Sequence, residues 1–396
     1  MPSNSPRPDF PPSVARLLLS FLRLGATAFG GPSMVAYIRR LAVQKRHWLD
    51  AATFDDGVAL CQMIPGATAM QTTAYVGLRT RGVLGAAASF IGFGLPAFIL
   101  MTTFAALYAR AHALPIVVSA FSGLQAMIVA IMANATLSFG RTTLKSWRPA
   151  VIAGLAAAMF GLRVNPIIVI VLAGALGFAL NRPAQKDGAV STSARTPTHL
   201  KPVLLTLACA AIGLGALFWF RRPLFVLAAL MSKIDLFAFG GGFASVPLMF
   251  HEVVDVRKWM DGQTFMNGIV LGQVTPGPIV ITATFVGYLL GGPLGGVVAT
   301  IGILLPSFLM VVAVAPYFDR LRASPGFNRV ISGVLASFVG LLLTVTIRFA
   351  TNVHWDWAHL VLAASAFLAL VLSVDLLWVV LAGIAASIAI FTWLPH

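Results

Sequence analysis

Charge is what this sequence has least of. Asp, Glu, Lys and Arg together make up 10% of its 396 residues, while hydrophobic types make up 59%. A soluble chain of that length needs far more polar surface to cover its core, so a soluble globular class is excluded. Acids are scarcer still than bases, 12 against 27, for a net charge of +15. The bases are scattered between apolar runs rather than gathered on one tail or face. That excludes a nucleic-acid partner and reads as loop charge that sets orientation in a membrane. Cysteine is almost absent: Cys61 and Cys209 lie far apart in apolar surroundings, with no CxxC and no His cluster. A disulfide framework or a metal centre has nothing to build on. Paired carboxylates, a nucleophile elbow, a metal motif and a Walker-type loop are missing as well, so neither an enzyme, nor an ATP-driven pump, nor a bound cofactor is expected. The N-terminus, MPSNSPRPDFPPSVAR, has no hydrophobic core behind a basic start. It reads as a disordered cytoplasmic tail, residues 1–14, rather than a signal peptide.

What the sequence does have is long apolar runs. Segments 82–109, 115–140, 202–220 and 359–394 are long enough to cross a bilayer as helices. They lack the alternation of a membrane β-barrel, so the fold class is an all-α integral membrane protein.

The chain is also written twice. A shift of 210 or 211 places lays Phe29-Gly30-Gly31 on Phe239-Gly240-Gly241, Trp48 and Asp50 on Trp259 and Asp261, Gln62 on Gln273 and Pro65-Gly66 on Pro276-Gly277. Further along, Pro96 meets Pro306 and Ser122-Gly123 meets Ser332-Gly333. The expected organisation is a first transmembrane repeat over 15–181, a basic cytoplasmic linker over 182–201, one connecting span over 202–222 and a second repeat over 223–396. An odd span between two repeats of even crossing number turns the second copy upside down. Loop charge agrees. Arg39, Arg40, Lys45 and Arg46 stand without an acid in the first copy, whereas the matching stretch of the second holds Arg257 and Lys258 against Glu252 and Asp255. RTTLKSWR (141–148) becomes TNVHWDWA (351–358), and the opposite end gains Arg320, Arg322 and Arg329. This is the pattern of inverted repeats, with the N-terminus inside and the C-terminus outside. Arg221 and Arg222 fall on the wrong side of that scheme.

Each repeat contains two helix breaks, FGGP (29–32) and IPGA (64–67) in the first, FGGG (239–242) and TPGP (275–278) in the second. In hydrocarbon an interrupted helix is tolerated only where it meets protein or lines a cavity. Paired interruptions in two halves point to a transport site built from discontinuous or re-entrant helices. A helix starting at Gly66 offers the amides of Ala67, Thr68 and Ala69; the one after Pro276-Gly277 offers Ile279 and Val280. Two positive helix ends with nearby threonines describe a receptor for a small divalent oxyanion. Arg23 and Lys233 occupy equivalent places six residues before each Phe-Gly-Gly. They are candidates to meet the anion's charge, unless they snorkel to an interface. Asp235, where the first repeat has Gly25, is a candidate coupling residue that would neutralise Lys233 in the empty site or carry a proton. His251 and Glu252 read as solvated on an amphipathic external segment. The candidate binding set is therefore Arg23, Phe29, Gly30, Gly31, Pro32, Gln62, Pro65, Gly66, Ala67, Thr68, Lys233, Phe239, Gly240, Gly241, Gln273, Pro276, Gly277, Ile279 and Val280.

FGGP followed by a basic amphipathic segment and HWLD, then QMIPGA, and the mirrored FGGGFASVP, WMD and GQVTPGP together resemble the chromate ion transporter family in its long, two-domain form. The resemblance implies a multi-pass protein of the bacterial inner membrane that exports chromate and confers chromate resistance, with sulfate as the analogue. It implies site roles for the glycine-proline motifs, including Pro278, and is compatible with a homodimer. The family's first motif often carries a histidine after its proline, where GGPSMVAY has Met34 and Tyr37. A sulfate or other anion uptake or exchange carrier, and a non-transporting membrane scaffold or sensor, are the alternatives.

Overall fold

The computed structural model describes residues 12–29, 33–112, 114–180 and 200–393. Every regular element among them is helical. The first repeat runs through α1 (Val14–Gly25), α2 (Ser33–Arg39), a π-helical turn (Arg40–Lys45), α3 (Ala51–Met63), α4 (Thr68–Ala111), α5 (Pro115–Thr143), α6 (Trp147–Gly161) and α7 (Pro166–Leu180). A connecting helix, α8 (Leu200–Phe220), leads to the second: α9 (Arg222–Phe237), α10 (Ser245–Phe250), a π-helical turn (His251–Val256) and α11 (Gly262–Val274). A 3₁₀ turn (Ile279–Ile281) then opens α12 (Thr282–Val314), followed by α13 (Phe318–Ala323), α14 (Pro325–Asn352), α15 (Trp357–Val371) and α16 (Leu376–Trp393).

Five helical stretches among the described residues are long and apolar enough to span a bilayer: Thr68–Ala111, Pro115–Thr143, Val203–Phe220, Ile279–Ala323 and Pro325–Asn352. On α8, Leu205, Ile212 and Trp219 are exposed, as suits a helix wrapped in lipid. The run 359–394, expected to contain a span, is instead two short helices, α15 and α16, broken after Leu372 with Ser373 at φ +65°. Its first-repeat counterpart, α6 and α7, breaks in the same way at Arg163, φ +64°.

Local chemistry is repeated as faithfully as the sequence. Asp50 caps α3 by accepting from the Thr53 N–H at 2.8 Å, and Asp261 caps α11 by accepting from Thr264 at 2.7 Å. Each long helix after a Pro-Gly break is a short re-entrant piece joined to a full span by a kink, at Arg81-Gly82 in α4 and Gly291-Gly292 in α12. Small residues let the helices of one repeat touch backbone to backbone: a Cβ on Gly92 would lie 2.6 Å from the Leu18 carbonyl oxygen, and one on Gly302 would lie 2.9 Å from that of Ala228.

The repeats are interlocked. α6 and α7 pack on α14 of the other repeat, while α15 and α16 pack on α5. Thr136 and Thr346, equivalent residues, face each other with their hydroxyl oxygens 3.3 Å apart. Reciprocal contacts of this kind mark a two-fold relation. With loop charge reversed between copies and a single span joining them, the axis lies in the membrane plane and the repeats are inverted.

The inversion makes a direct prediction. In a chain with Cys61 and Cys209 changed to Ser, Lys145→Cys and His354→Cys are expected to react with an impermeant thiol reagent from opposite faces of sealed vesicles. Labelling of both from one face would overturn it.

Candidate functional site

The two Pro-Gly breaks are each finished by the other repeat. The Gly66 N–H donates to the Ala238 carbonyl at 2.9 Å, and the Gly277 N–H donates to the Ala28 carbonyl at 3.0 Å. The Pro-Gly loop of one repeat thus docks on the chain just before the Phe-Gly-Gly of its partner repeat. Gly66 and Gly277 take φ +119° and +120°, a region that side chains rarely enter. Space excludes a side chain as well. A Cβ on Gly66 would collide with the Ser307 hydroxyl, and one on Gly277 would come within 2.6 Å of the Ala97 methyl.

Phe239-Gly240-Gly241 continues from Ala238 as a turn, with Gly240 and Gly241 at φ +98° and +91°. A Cβ on Gly241 would lie 3.0 Å from Thr68 Oγ1, at the start of α4. One on Gly242 would lie 2.9 Å from the Ile279 side chain, at the turn opening α12. The glycine segment therefore sits between the two helix starts that the sequence singles out. The N–H groups of Thr68, Ala69, Ile279 and Val280 have no acceptor among the described residues. That of Ala67 is taken: it donates to Ser307 Oγ at 3.0 Å.

Ser307 in turn donates to Asp235 Oδ1 at 3.0 Å. Asp235 is 1% exposed, and its Oδ2 has no hydrogen-bond partner. The buried Gln71 donates from Nε2 to the Pro65 carbonyl, while its Oε1 also lacks a partner. Unpartnered buried acceptors are costly and call for a functional reason.

Several expected residues lie elsewhere. Gly30, Gly31 and Pro32 fall outside the described residues, and Phe29, just before them, is half-buried. Arg23 is exposed on α1 with no ion-pair partner among the described residues. Gln62 is exposed, whereas its counterpart Gln273 is buried with Nε2 unpartnered. Pro65, Pro276, Ile279 and Val280 are buried within the crossing. Lys233 does not pair with Asp235: two residues apart on α9, they point about 200° away from each other around the axis. Lys233 Nζ instead meets Glu252 Oε1 at 2.7 Å. His251 and Glu252 are not solvated, being 5% and 8% exposed. His251 Nδ1 lies 3.6 Å from Asp255, which also pairs with Arg348. Ser307, Gln71 and this pairing of Glu252 escaped the sequence reading. Ser307 could have been found, because Asp235 and Ser307 stand opposite Gly25 and Ala97, two polar gains at aligned positions.

One cluster copies a hydrolase triad. Ser122 Oγ lies 3.0 Å from His359 Nε2, and His359 Nδ1 lies 2.8 Å from Asp356 Oδ1. Ser122 sits within α5, and the next amide, Gly123, donates to Ser387 Oγ at 3.0 Å, so that amide is not free to serve as an oxyanion donor. Asp356 is the N-cap of α15. Foremost the His359 backbone N–H, and then the His359 ring, hold its carboxyl below the ordinary range. The cluster ties the repeats together. No group of metal-ligating side chains occurs among the described residues.

A family model described as Chromate transporter matches the chain twice, over residues 15–178 and 225–388. An uncharacterised transporter of Methanocaldococcus jannaschii is 41% identical over 374 residues, covering 93% of this chain and 92% of the relative. A chromate transport protein of Pseudomonas aeruginosa is 31% identical, covering 86% and 82%. Another, of Cupriavidus metallidurans, is 29% identical, covering 85% and 83%. No solved structure matches the chain.

The geometry predicts that Gly66→Ala and Gly277→Ala destabilise the fold, each by about 1–3 kcal/mol from backbone strain alone. Gly66→Ala is expected to cost more, because it also displaces Ser307. Thermal unfolding of the detergent-solubilised protein measures both; parental stability in either variant would show that the crossing is loosely packed.

Proposed function

Because the chain belongs to the chromate transporter family, whose members are transporters and not enzymes, we propose that it moves chromate across the membrane. In this reading it exports the dianion from the cytoplasm across a bacterial inner membrane and so confers chromate resistance, with sulfate as a competing analogue. The N-terminus lies in the cytoplasm and the C-terminus in the periplasm. The observation that carries the reading is the Gly240–Gly242 segment held between two helix starts at which the N–H groups of Thr68, Ala69, Ile279 and Val280 have no acceptor among the described residues. Positive helix ends facing one another, with glycines that let an anion approach the backbone, suit a small oxyanion and give little purchase to a cation.

Asp235 is the coupling group in this reading. It is joined through the Ser307 hydroxyl to the Ala67 amide at the start of α4, and it forms no ion pair among the described residues. A proton on its free oxygen removes the charge when the anion is present, so anion and proton movements are linked.

Flux of labelled chromate into proteoliposomes is expected to be saturable and to be competed by sulfate. Asp235→Asn, which preserves the acceptor for Ser307, is expected to lower turnover and flatten the pH dependence with little change in KM. An Asn variant with the parental turnover and pH profile would remove Asp235 from coupling. Absence of flux in the parent would overturn the transport reading.

A further inference from the structure

The face of α9 opposite Asp235 carries a second constellation. Lys233 opens onto a pocket lined by Asn165, Ile167, Phe237, Leu248, His251 and Glu252. Asn165, just before α7, and Ile167, in its first turn, belong to the other repeat, so the pocket spans both repeats. Inside it, Glu252 Oε1 lies 2.7 Å from Lys233 Nζ; Glu252 Oε2, on the carboxylate's other side, lies 3.8 Å from Nε of Arg257, which does not line the pocket. The pair is unevenly sealed: the Lys233 side chain is 41% exposed and that of Glu252 10%. The cation can therefore be reached from outside while its carboxylate partner stands behind it.

Two observations set this pair apart from ordinary loop charge. Glu252 sits in the π-helical turn His251–Val256, whose first-repeat counterpart, Arg40–Lys45, has Leu41 at the same place. Arg23, the counterpart of Lys233, is exposed with no ion-pair partner among the described residues. A carboxylate thus answers the cation on one side of the protein only. The rest of the turn is anchored separately, because Asp255 pairs with Arg348. Glu252 can leave Lys233 without unravelling its neighbours.

We propose that Glu252 is a tethered stand-in for the transported oxyanion. Its two oxygens occupy an anion subsite formed by Lys233 and Arg257, and the arriving or departing dianion passes by displacing that carboxylate. The shared chemistry is an oxyanion bridging an ammonium and a guanidinium. Displacement favours a dianion over a monoanion, because only the dianion outweighs the single charge it replaces. This inference rests on the transport reading above and adds to it a second subsite and a residue that sets apparent affinity.

The test is flux of chromate, and separately of sulfate, through the full-length protein in proteoliposomes, with Glu252→Gln, Glu252→Asp, Lys233→Gln and the Glu252→Gln/Lys233→Gln pair. Both Glu252 variants are expected to lower the apparent KM by about twofold to fivefold, the range of a partly exposed ion pair. The Asp variant keeps the charge and protects the test against a folding defect, since its shorter arm releases Lys233 without removing an acid from the turn. Lys233→Gln is expected to raise KM, and removing Glu252 in the double variant to lower it by less than in the parent, because only Arg257 is then left to free. A parental KM in both Glu252 variants, or the same drop persisting without Lys233, overturns the stand-in role alone. No flux in the parent overturns the transport reading and this inference with it.

Discussion

A backbone amide inside a bilayer must find a partner within the protein, and this requirement governs the whole arrangement. Each repeat interrupts its helices with Pro-Gly, which leaves an N–H group that the same repeat does not satisfy. The two breaks solve the problem for each other: Gly66 donates to Ala238, and Gly277 to Ala28. Neither repeat is complete alone. The interlocking of α6 and α7 with α14, and of α15 and α16 with α5, extends the same mutual dependence to the periphery. A duplicated unit held this way keeps its discontinuous segments only as long as both copies are in register.

Symmetry builds the frame, and departures from symmetry carry the chemistry. The φ angles at Gly66 and Gly277, and at Gly82 and Gly292, agree within a degree. Around that shared backbone the side chains diverge. Gly25 and Ala97 in one copy become Asp235 and Ser307 in the other, which places a carboxyl and a hydroxyl beside one helix start and none beside its twin. Asp56 and Asn267, also equivalent, divide in the same way: Asp56 pairs with Arg322 at 2.7 Å, while Asn267 bonds to Tyr108 and Gln125. The Asp235–Ser307 divergence swaps both partners together. That is expected where an unpaired polar group costs more than an apolar pair of the same shape.

Much of this was legible in the sequence, and the reasons are physical. Apolar run length reports the solvent. Pro-Gly in an apolar run reports a break, since proline lacks a donor and glycine takes positive φ. A repeat with reversed charge reports inversion. Features that depend on direction around a helix axis were less legible. Lys233 and Asp235 are near neighbours in the chain but point apart, so sequence proximity suggested a pair that α9 geometry forbids. Glu252 and His251 looked solvated because they lie on an amphipathic segment read as external, yet the π-helical turn that carries them is buried at both residues. The α15–α16 break carries no proline and no glycine, and an apolar run hides it.

The placement of Asp235 constrains how any anion can use the helix start beside it. Through one hydroxyl, its carboxyl already occupies the Ala67 amide that an anion would otherwise take. A charged Asp235 and a dianion at Thr68 and Ala69 would repel. Two unit charges about 4 Å apart at an effective dielectric of about 20 interact by about 4 kcal/mol, several hundredfold in occupancy. Lys233 does not offset that repulsion, because it faces away and is engaged by Glu252. Under the proposed function, then, the same duplication that supplies two positive helix ends also sets a condition on their use. An anion is held at this start when Asp235 is neutral, and reciprocity requires that the anion favour the neutral form in return. The repeat lacking the acid imposes no such condition, so the two helix starts, alike in backbone, differ in when they can be filled.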